Sequence, residues 1–382
     1  MLKEGLYATL SNYRRYDYHT DGISRAGLTQ LQNDLKPGTM APFLNPDPMR
    51  YKMSKIRGVA KTVITRLVLS LLCSAGAIFS PSAHADEGGV SFWLPGQYSS
   101  LAATPAEPGW SMPLIYYHSS TDASGSKNFA IGGSITAGLD VDIDLVLVVP
   151  TYVFTNPVFG GQASLSMAGI YGRADVDVDA TLTGPGGDVL SGSKSDSNTA
   201  FGDLYPSASL RWNHGDHNTM VYTMLGLPVG SYAVDRLANI GTNHWSLDAG
   251  GGYTYLNAKT GREFSAVLGL TYNFENPDTD YQNGIDLHLD WGASQFLSEQ
   301  WHVGLVGYIY YQITGDSGDG AILGDFKSRV YSIGPQVGYI FKIGERQAYL
   351  NLKGYWEFGA ENRPEGWNAW LTLVLPLGGG GK

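Results

Sequence analysis

From residue 110 onward, hydrophobic and polar positions alternate along the chain. In 347–358, Ala348, Leu350, Leu352, Trp356 and Phe358 share one face, and Gln347, Tyr349, Asn351, Lys353, Tyr355 and Glu357 share the other. In 285–296, Ile285, Leu287, Leu289, Trp291 and Ala293 stand against Asp286, His288, Asp290, Gly292 and Ser294. In 139–149, Leu139, Val141, Ile143, Leu145, Leu147 and Val149 oppose Asp140, Asp142 and Asp144. A period of two belongs to a strand, whose successive side chains point to opposite faces; a helical face would recur every 3.6 residues.

Extended with turn signals, the pattern predicts twelve strands, near 110–119, 139–154, 162–179, 202–212, 218–230, 245–256, 263–273, 284–296, 301–314, 327–342, 347–358 and 367–377. The connections alternate in kind. Those at 213–216, 257–262, 297–300 and 343–346 are short, whereas 120–138, 180–201, 231–244, 275–283, 315–326 and 359–366 are long and polar. One rim of turns and one of loops, on an even number of strands, is the outer-membrane pattern. The expected fold is therefore all-β, a transmembrane antiparallel up-and-down barrel of about twelve strands with a polar lumen. Closure leaves no backbone edge in hydrocarbon. Aromatic residues near the ends of the runs, among them Trp110, Tyr152, Phe154, Trp245, Tyr272, Trp301, Tyr339, Trp356 and Trp367, would form interfacial girdles. A large soluble β-sandwich or an exported barrel of about eight to ten strands is the alternative, since its inner rows would be equally apolar.

Composition sharpens this picture. Only 16% of the 382 residues are charged, below the roughly 25% of soluble domains, and 50 are Gly. With 25 basic against 35 acidic residues, the net charge of −10 leaves no basic face to neutralise nucleic-acid phosphates. A nucleic-acid partner is excluded on that ground.

The one continuous apolar run, 67–79, follows Lys55, Arg57, Lys61 and Arg66 and precedes Ala83-His84-Ala85. A basic leader, a short apolar run and an A-x-A site make a secretory signal peptide, and 13 apolar residues fall short of the roughly 20 that span a bilayer as a helix. The expected organisation is an extension called too far upstream at 1–52, a signal peptide at 53–85 cleaved after Ala85, an N-terminal periplasmic or plug segment at 86–109, and the barrel at 110–382. Removing 1–85 takes 11 of the 25 basic residues but only 5 of the 35 acidic ones, which moves the net charge from −10 to −16. The only cysteine, Cys73, leaves with the signal.

At 91–98 (SFWLPGQY) and 114–118 (LIYYH) the sequence resembles the meta-pathway phenol-degradation family of SphA-like outer-membrane proteins. The stretches PTYVF (150–154), GDLYP (202–206), RLANIG (236–241), NPDTDYQNG (276–284), TGDSGDG (314–320) and GPQVGY (334–339) continue the resemblance over nearly all of 90–377. It implies a β-barrel found near genes for aromatic degradation, and hence an uptake or transport role. It implies no catalytic residue.

The alternation assigns an inward row of Asp140, Asp142, Asp144, Arg211, Asp286, His288, Asp290, Lys353 and Glu357, joined by Arg173, Asp175, Asp177, Asp179, Asp248 and Gln336. In an open channel such a row sets charge selectivity; in a narrow barrel the same groups pair across a filled lumen. Phe92, Trp93 and Tyr98 are candidates for an apolar plug or hydrophobic path, the other reading of 87–113 being a segment packed on the periplasmic rim. Gly315-Asp316-Ser317-Gly318 reads as a loop turn, because a serine nucleophile needs a histidine base within reach. Asp316, Asp319 and Asp325 do not match the EF-hand spacing, and no cofactor or metal is expected. The resulting expectation is an outer-membrane channel for passive uptake of small hydrophobic or aromatic compounds in a Gram-negative bacterium. Its partners would be outer-membrane lipid, the solute and the barrel-assembly machinery. The alternatives are a lipid-modifying enzyme and a surface-binding structural barrel.

Overall fold

The computed structural model describes residues 91–128, 134–183, 189–321 and 326–377; the extension, the signal peptide and Asp325 lie outside the described residues. The strands are β1 (Gly109–Asn128), β2 (Ser134–Val148), β3 (Thr151–Val153), β4 (Gln162–Thr183), β5 (Val189–His214), β6 (His217–Gly226), β7 (Ser246–Asn257), β8 (Arg262–Asn273), β9 (Asp286–Phe296), β10 (Trp301–Gln312), β11 (Arg329–Ile343), β12 (Arg346–Glu361) and β13 (Glu365–Leu377). β2 and β3 both pair antiparallel with β1 and β4, every later strand pairs antiparallel with the next in sequence, and β13 returns to β1 in a ladder from Trp110↔Leu377 to Asp122↔Glu365. The sheet is thus closed. β2 and β3 are one wall strand, interrupted at Val149-Pro150 because proline carries no N–H for the ladder. The break is bridged by the Val149 N–H to the Pro113 carbonyl (2.9 Å) and the Met167 N–H to the Pro150 carbonyl (3.2 Å). Counting β2–β3 once gives the expected twelve-stranded barrel.

Register carries a single outer face around the wall: Leu352↔Leu371, Leu371↔Tyr116, Tyr116↔Val146, Val146↔Tyr171 and Tyr171↔Phe201. Tyr116, Val146, Tyr171, Phe201, Leu352 and Leu371 are all exposed, as are Leu268, Leu270, Val303 and Leu305 on other strands. This is the apolar belt a lipid-facing wall requires. Trp110, Trp301, Trp245, Trp356 and Trp367 are exposed at its two margins. Trp110 packs on Tyr152 at 5.1 Å and Trp301 on Tyr339 at 4.3 Å between ring centroids.

Two stretches expected as loops, 120–138 and 180–201, are largely strand. β1 runs on to Asn128 and β2 begins at Ser134, while β4 reaches Thr183 and β5 begins at Val189. The strands outrun the belt, and their outer faces there are rich in Asp, Ser, Thr and Gly, so the amphipathic signal of a membrane strand is lost although backbone pairing continues. The short rim also carries a connection at 154–161 that the turn signals did not mark.

The inner face of this extension is apolar. Leu139, Val141, Ile143, Leu145, Ala174 and Val176 are buried, together with Ala238 and Ile240 from the β6–β7 connection, which tucks inward. Asp203, 1% exposed, holds that connection by accepting from the Gly230 N–H (2.7 Å), the Thr242 N–H (2.8 Å) and the Thr242 hydroxyl (2.9 Å). Hydrogen bonds to a buried charge contribute about 1.5–3 kcal/mol each. Asp203→Ala is therefore expected to free the connection while the wall stays paired. Trypsin should then cut after Arg236 many times faster in the folded variant; an unchanged digestion rate would refute this role.

Candidate functional site

Residues 91–103, ahead of β1, lie inside the barrel. Residues 91–96, 100 and 103 are buried, and the path from Trp93 to Ala103 follows the inner faces of β7–β12. Its central feature is a turn at 96–98 gripped from two sides. Asp290 of β9 accepts the Gly96 N–H (2.9 Å) and the Tyr98 N–H (3.0 Å). Lys353 of β12 donates to the Gly96 carbonyl (2.6 Å) and the Gln97 carbonyl (3.1 Å), and the Tyr355 hydroxyl adds a bond to Gly96 at 3.3 Å. A carboxylate on the donors and an ammonium on the acceptors satisfy one turn, and each buried charge has the other nearby to balance it. Gly96 has φ +88°, and a Cβ there would meet the Tyr355 ring at 3.0 Å, so both conformation and space call for glycine.

Above the turn, Trp93 stacks on His288 with ring centroids 3.6 Å apart and planes at 17°. His288 in turn bonds the Asp248 carboxylate at 2.7 Å; both side chains are fully buried, and the Thr271 hydroxyl donates to the same oxygen at 2.6 Å. Below the turn, Ser100, Ser294 and Gln336 form one cluster, with Ser100 and Ser294 hydroxyl oxygens 2.8 Å apart and the Gln336 amide donating to both. The Leu101 N–H bonds Glu263 (2.9 Å) and the Ala103 N–H bonds Thr254 (3.0 Å). Gly292 makes this approach possible, since a Cβ there would sit 2.7 Å from the Ser100 nitrogen. Burial pushes the Tyr98 hydroxyl up to about 12, so it stays neutral.

Of the residues assigned inward from the alternation, Asp286, His288, Asp290 and Lys353 are buried in the interior, as are Asp248 and Gln336. Asp286 accepts from the Asn273 amide at 2.9 Å. Arg211 donates to Ser164 (3.2 Å) and Ser209 (2.6 Å), and Glu357 bonds the Tyr308 hydroxyl and the Gly366 N–H. Both lie in the interior, and the Arg211 charge reaches the Tyr98 hydroxyl at the end of the turn.

Asp140, Asp142 and Asp144 do not face the lumen. They share the outer face of Val146 and Val148, and Arg173, Asp175, Asp177 and Asp179 lie beside them through the pairs Asp144↔Arg173, Asp142↔Asp175 and Asp140↔Asp177. The reason is position along the strand. Beyond the lipid belt the outer face meets water and becomes acidic, while the inner face becomes apolar against residues 237–240; one alternation, two environments. Glu263, Thr254 and Ser294, which hold the segment, were not singled out from sequence. Glu263 could have been, since 263, 265, 267, 269 and 271 alternate with the exposed Phe264, Leu268, Leu270 and Tyr272. The turn at 315–318 is a loop: the Ser317 backbone pairs with Gln282, and the Asp316 carboxylate takes Tyr281, Gly284 and Gln312.

The arrangement is a barrel filled by its own leading segment, held by neutral and charged hydrogen bonds on the β7–β12 side. On the other side, Trp93 and Tyr98 pack against Tyr222, with ring centroids 6.1 and 5.6 Å away, and line a cavity together with Tyr205 and Trp370.

The sequence profile of a family described as "Putative MetA-pathway of phenol degradation" matches residues 124–373. Among solved structures, an outer membrane channel from Pseudomonas putida is similar over 74% of this chain and 99% of its own, with a TM-score of 0.53 and 16% identity, which shows a shared fold. A Pseudomonas aeruginosa FadL homologue matches 77% of this chain and 97% of its own at 8% identity and a TM-score of 0.33. No curated protein matches the chain. In fold the barrel resembles the Pseudomonas putida outer membrane channel.

Proposed function

This chain belongs to the family described as "Putative MetA-pathway of phenol degradation", and from that premise we propose that it is an outer-membrane channel for passive passage of small hydrophobic or aromatic compounds, closed by its own N-terminal segment. The carrying observation is the way that segment is seated. It is fixed by hydrogen bonds and stacking, all reversible, within a closed wall. A polar grip on one side and an aromatic lining on the other would open a path for apolar solutes once the segment moves. In this reading the signal peptide ends after Ala85, the assembly machinery inserts the barrel, and lipid surrounds the belt.

A lock across the Ser100–Ser294 contact tests the reading. Their hydroxyl oxygens are 2.8 Å apart, close enough for Ser100→Cys with Ser294→Cys to form a disulfide. Liposomes carrying the reduced double variant are expected to take up phenol-sized neutral solutes faster than empty liposomes. Oxidation should return uptake to the empty-liposome rate, and a reductant should restore it. Equal flux in the oxidised and reduced forms would show that the segment gates nothing. No flux from unaltered or reduced protein, with the folded barrel present, would remove the channel reading.

A further inference from the structure

Arg211, facing inward near the short-rim end of β5, is a cation without a counter-charge. Arg173 and Arg329 each meet a carboxylate, from Asp175 and Glu361, and Lys353 has Asp290 nearby. Arg211 meets none among the described residues; the one charge-bearing neighbour that acts on it is the Tyr98 hydroxyl. The interior carboxylates closest to the segment are engaged elsewhere, Asp290 by Gly96 and Tyr98, Asp248 by His288 and Thr271, and Glu263 by Leu101 and Ser265. A guanidinium stays charged, and a charge withdrawn from water is normally paired.

Its hydrogen bonds leave one edge of the guanidinium open. Nη1 donates to the Ser164 hydroxyl (3.2 Å) and the Ser209 hydroxyl (2.6 Å). These serines also share a hydrogen bond at 2.7 Å, so they fix the group from one side and bring no charge to balance it. Nε is shielded from water and has no partner, and Nη2 makes no bond among the described residues. Together they present two parallel N–H groups, the fork that takes both oxygens of a carboxylate. The side chain as a whole is half-buried, so this edge is within reach of the lumen. Tyr98 adds a further donor, because its hydroxyl lies within the field of Arg211 and stays protonated. Asp248 and Asp290 act on that same hydroxyl, so the second charge of a dianion would be repelled here, whereas one guanidinium balances a monoanion.

We propose that the Nε–Nη2 edge of Arg211 binds the carboxylate of a small monocarboxylic acid, with the Tyr98 hydroxyl donating to the same group. The proposal goes beyond the channel reading, which concerns neutral solutes, and binding at this edge needs no passage of any solute. Because Tyr98 belongs to the segment, undocking removes one donor and leaves the guanidinium in place.

The test uses the full barrel in detergent with carboxyl-¹³C-labelled acetate as probe and broadening of its ¹³C resonance as readout, against protein-free micelles. Saturable broadening is expected. Acetamide, which has the same shape without the charge, should compete about tenfold more weakly or worse, and so should chloride and inorganic phosphate, which do not match the fork and the single charge. Arg211→Met, which keeps the length and removes the charge, should weaken acetate by about tenfold or more, and Arg211→Lys, which keeps the charge without the fork, should fall between. The competition series uses the unaltered barrel, which keeps the test decisive if Arg211→Met does not fold. No saturable broadening above micelles, unchanged acetate binding in folded Arg211→Met, or equal competition by acetamide, chloride or phosphate overturns the site. Acetate binding that is lost in Arg211→Met, with no liposome flux of neutral solutes, supports the site and removes the channel reading; neutral flux without acetate binding does the reverse.

Discussion

Asp290→Ala is expected to release the turn at 96–98 and open the barrel. The substitution removes the acceptor for two backbone N–H groups, at 2.9 and 3.0 Å, in a position 1% exposed. It also strips Lys353 of the nearby negative charge while that ammonium remains buried against Gly96 and Gln97. Removing one partner of a buried charged arrangement costs about 3–5 kcal/mol. At about 1.4 kcal/mol per decade, the undocked population should rise by about two to three and a half orders of magnitude. The wall keeps its ladder, because β9 pairs through its backbone with β8 and β10 and the lost carboxylate takes no part. Backbone amides at 96–103 should therefore exchange with solvent far faster in the variant, and single-channel recordings should show larger or longer openings. Unchanged exchange at Gly96 and Tyr98 would show that the clamp contributes little. Asp290→Asn, which keeps one acceptor oxygen, should fall between.

Gly334→Ala should block assembly of the barrel itself. A Cβ on Gly334 would meet the Gly354 carbonyl oxygen at 1.7 Å, a backbone atom that no side-chain rotation can move. The residue after it is Pro335, which offers no N–H, and the register between β11 and β12 resumes only at Gln336↔Lys353. Opening the two strands enough for a methyl group would displace Lys353 from the segment and stretch the ladders on both sides. Overpacking usually costs about 1–3 kcal/mol, and a backbone collision belongs at or above the top of that range. Refolded protein should show little heat-modifiable band on a cold gel. Gly192→Ala, where nothing lies within 4 Å, serves as the control and should fold like the unaltered chain. Normal yield of folded Gly334→Ala would mean that the wall is softer than this contact implies.

The wall was legible in the sequence because lipid on one side and a filled interior on the other impose a strict period of two. In β9, Asp286, His288 and Asp290 alternate with Leu287, Leu289 and Trp291, and nothing else fits that pattern. The same signal misled at Asp140, Asp142 and Asp144. Alternation states that two faces differ, and which face looks inward depends on whether the strand is still within the membrane. The segment's seat was half legible. Phe92, Trp93 and Tyr98 stood out by composition, but the bonds that fix them run from backbone atoms of an aperiodic turn to residues more than 150 positions away. Sequence pattern carries no trace of such contacts; it could nominate Asp290 and Lys353 as interior groups without revealing that they share one turn.

The closure of β1 on β13 sets the order in which the molecule can be built. The ladder that seals the wall joins the first strand to the last, and the anchors of the segment, Asp290 and Lys353, lie 194 and 257 residues downstream of Gly96. Contacts so distant along the chain form slowly, since loop entropy must be surrendered before any of them reward it. Until the final hairpin arrives, both open edges need an escort. Sealing the wall and seating the segment therefore wait on the same late strands, and a growing chain presents its leading residues to an unfinished cup long before anything can hold them there.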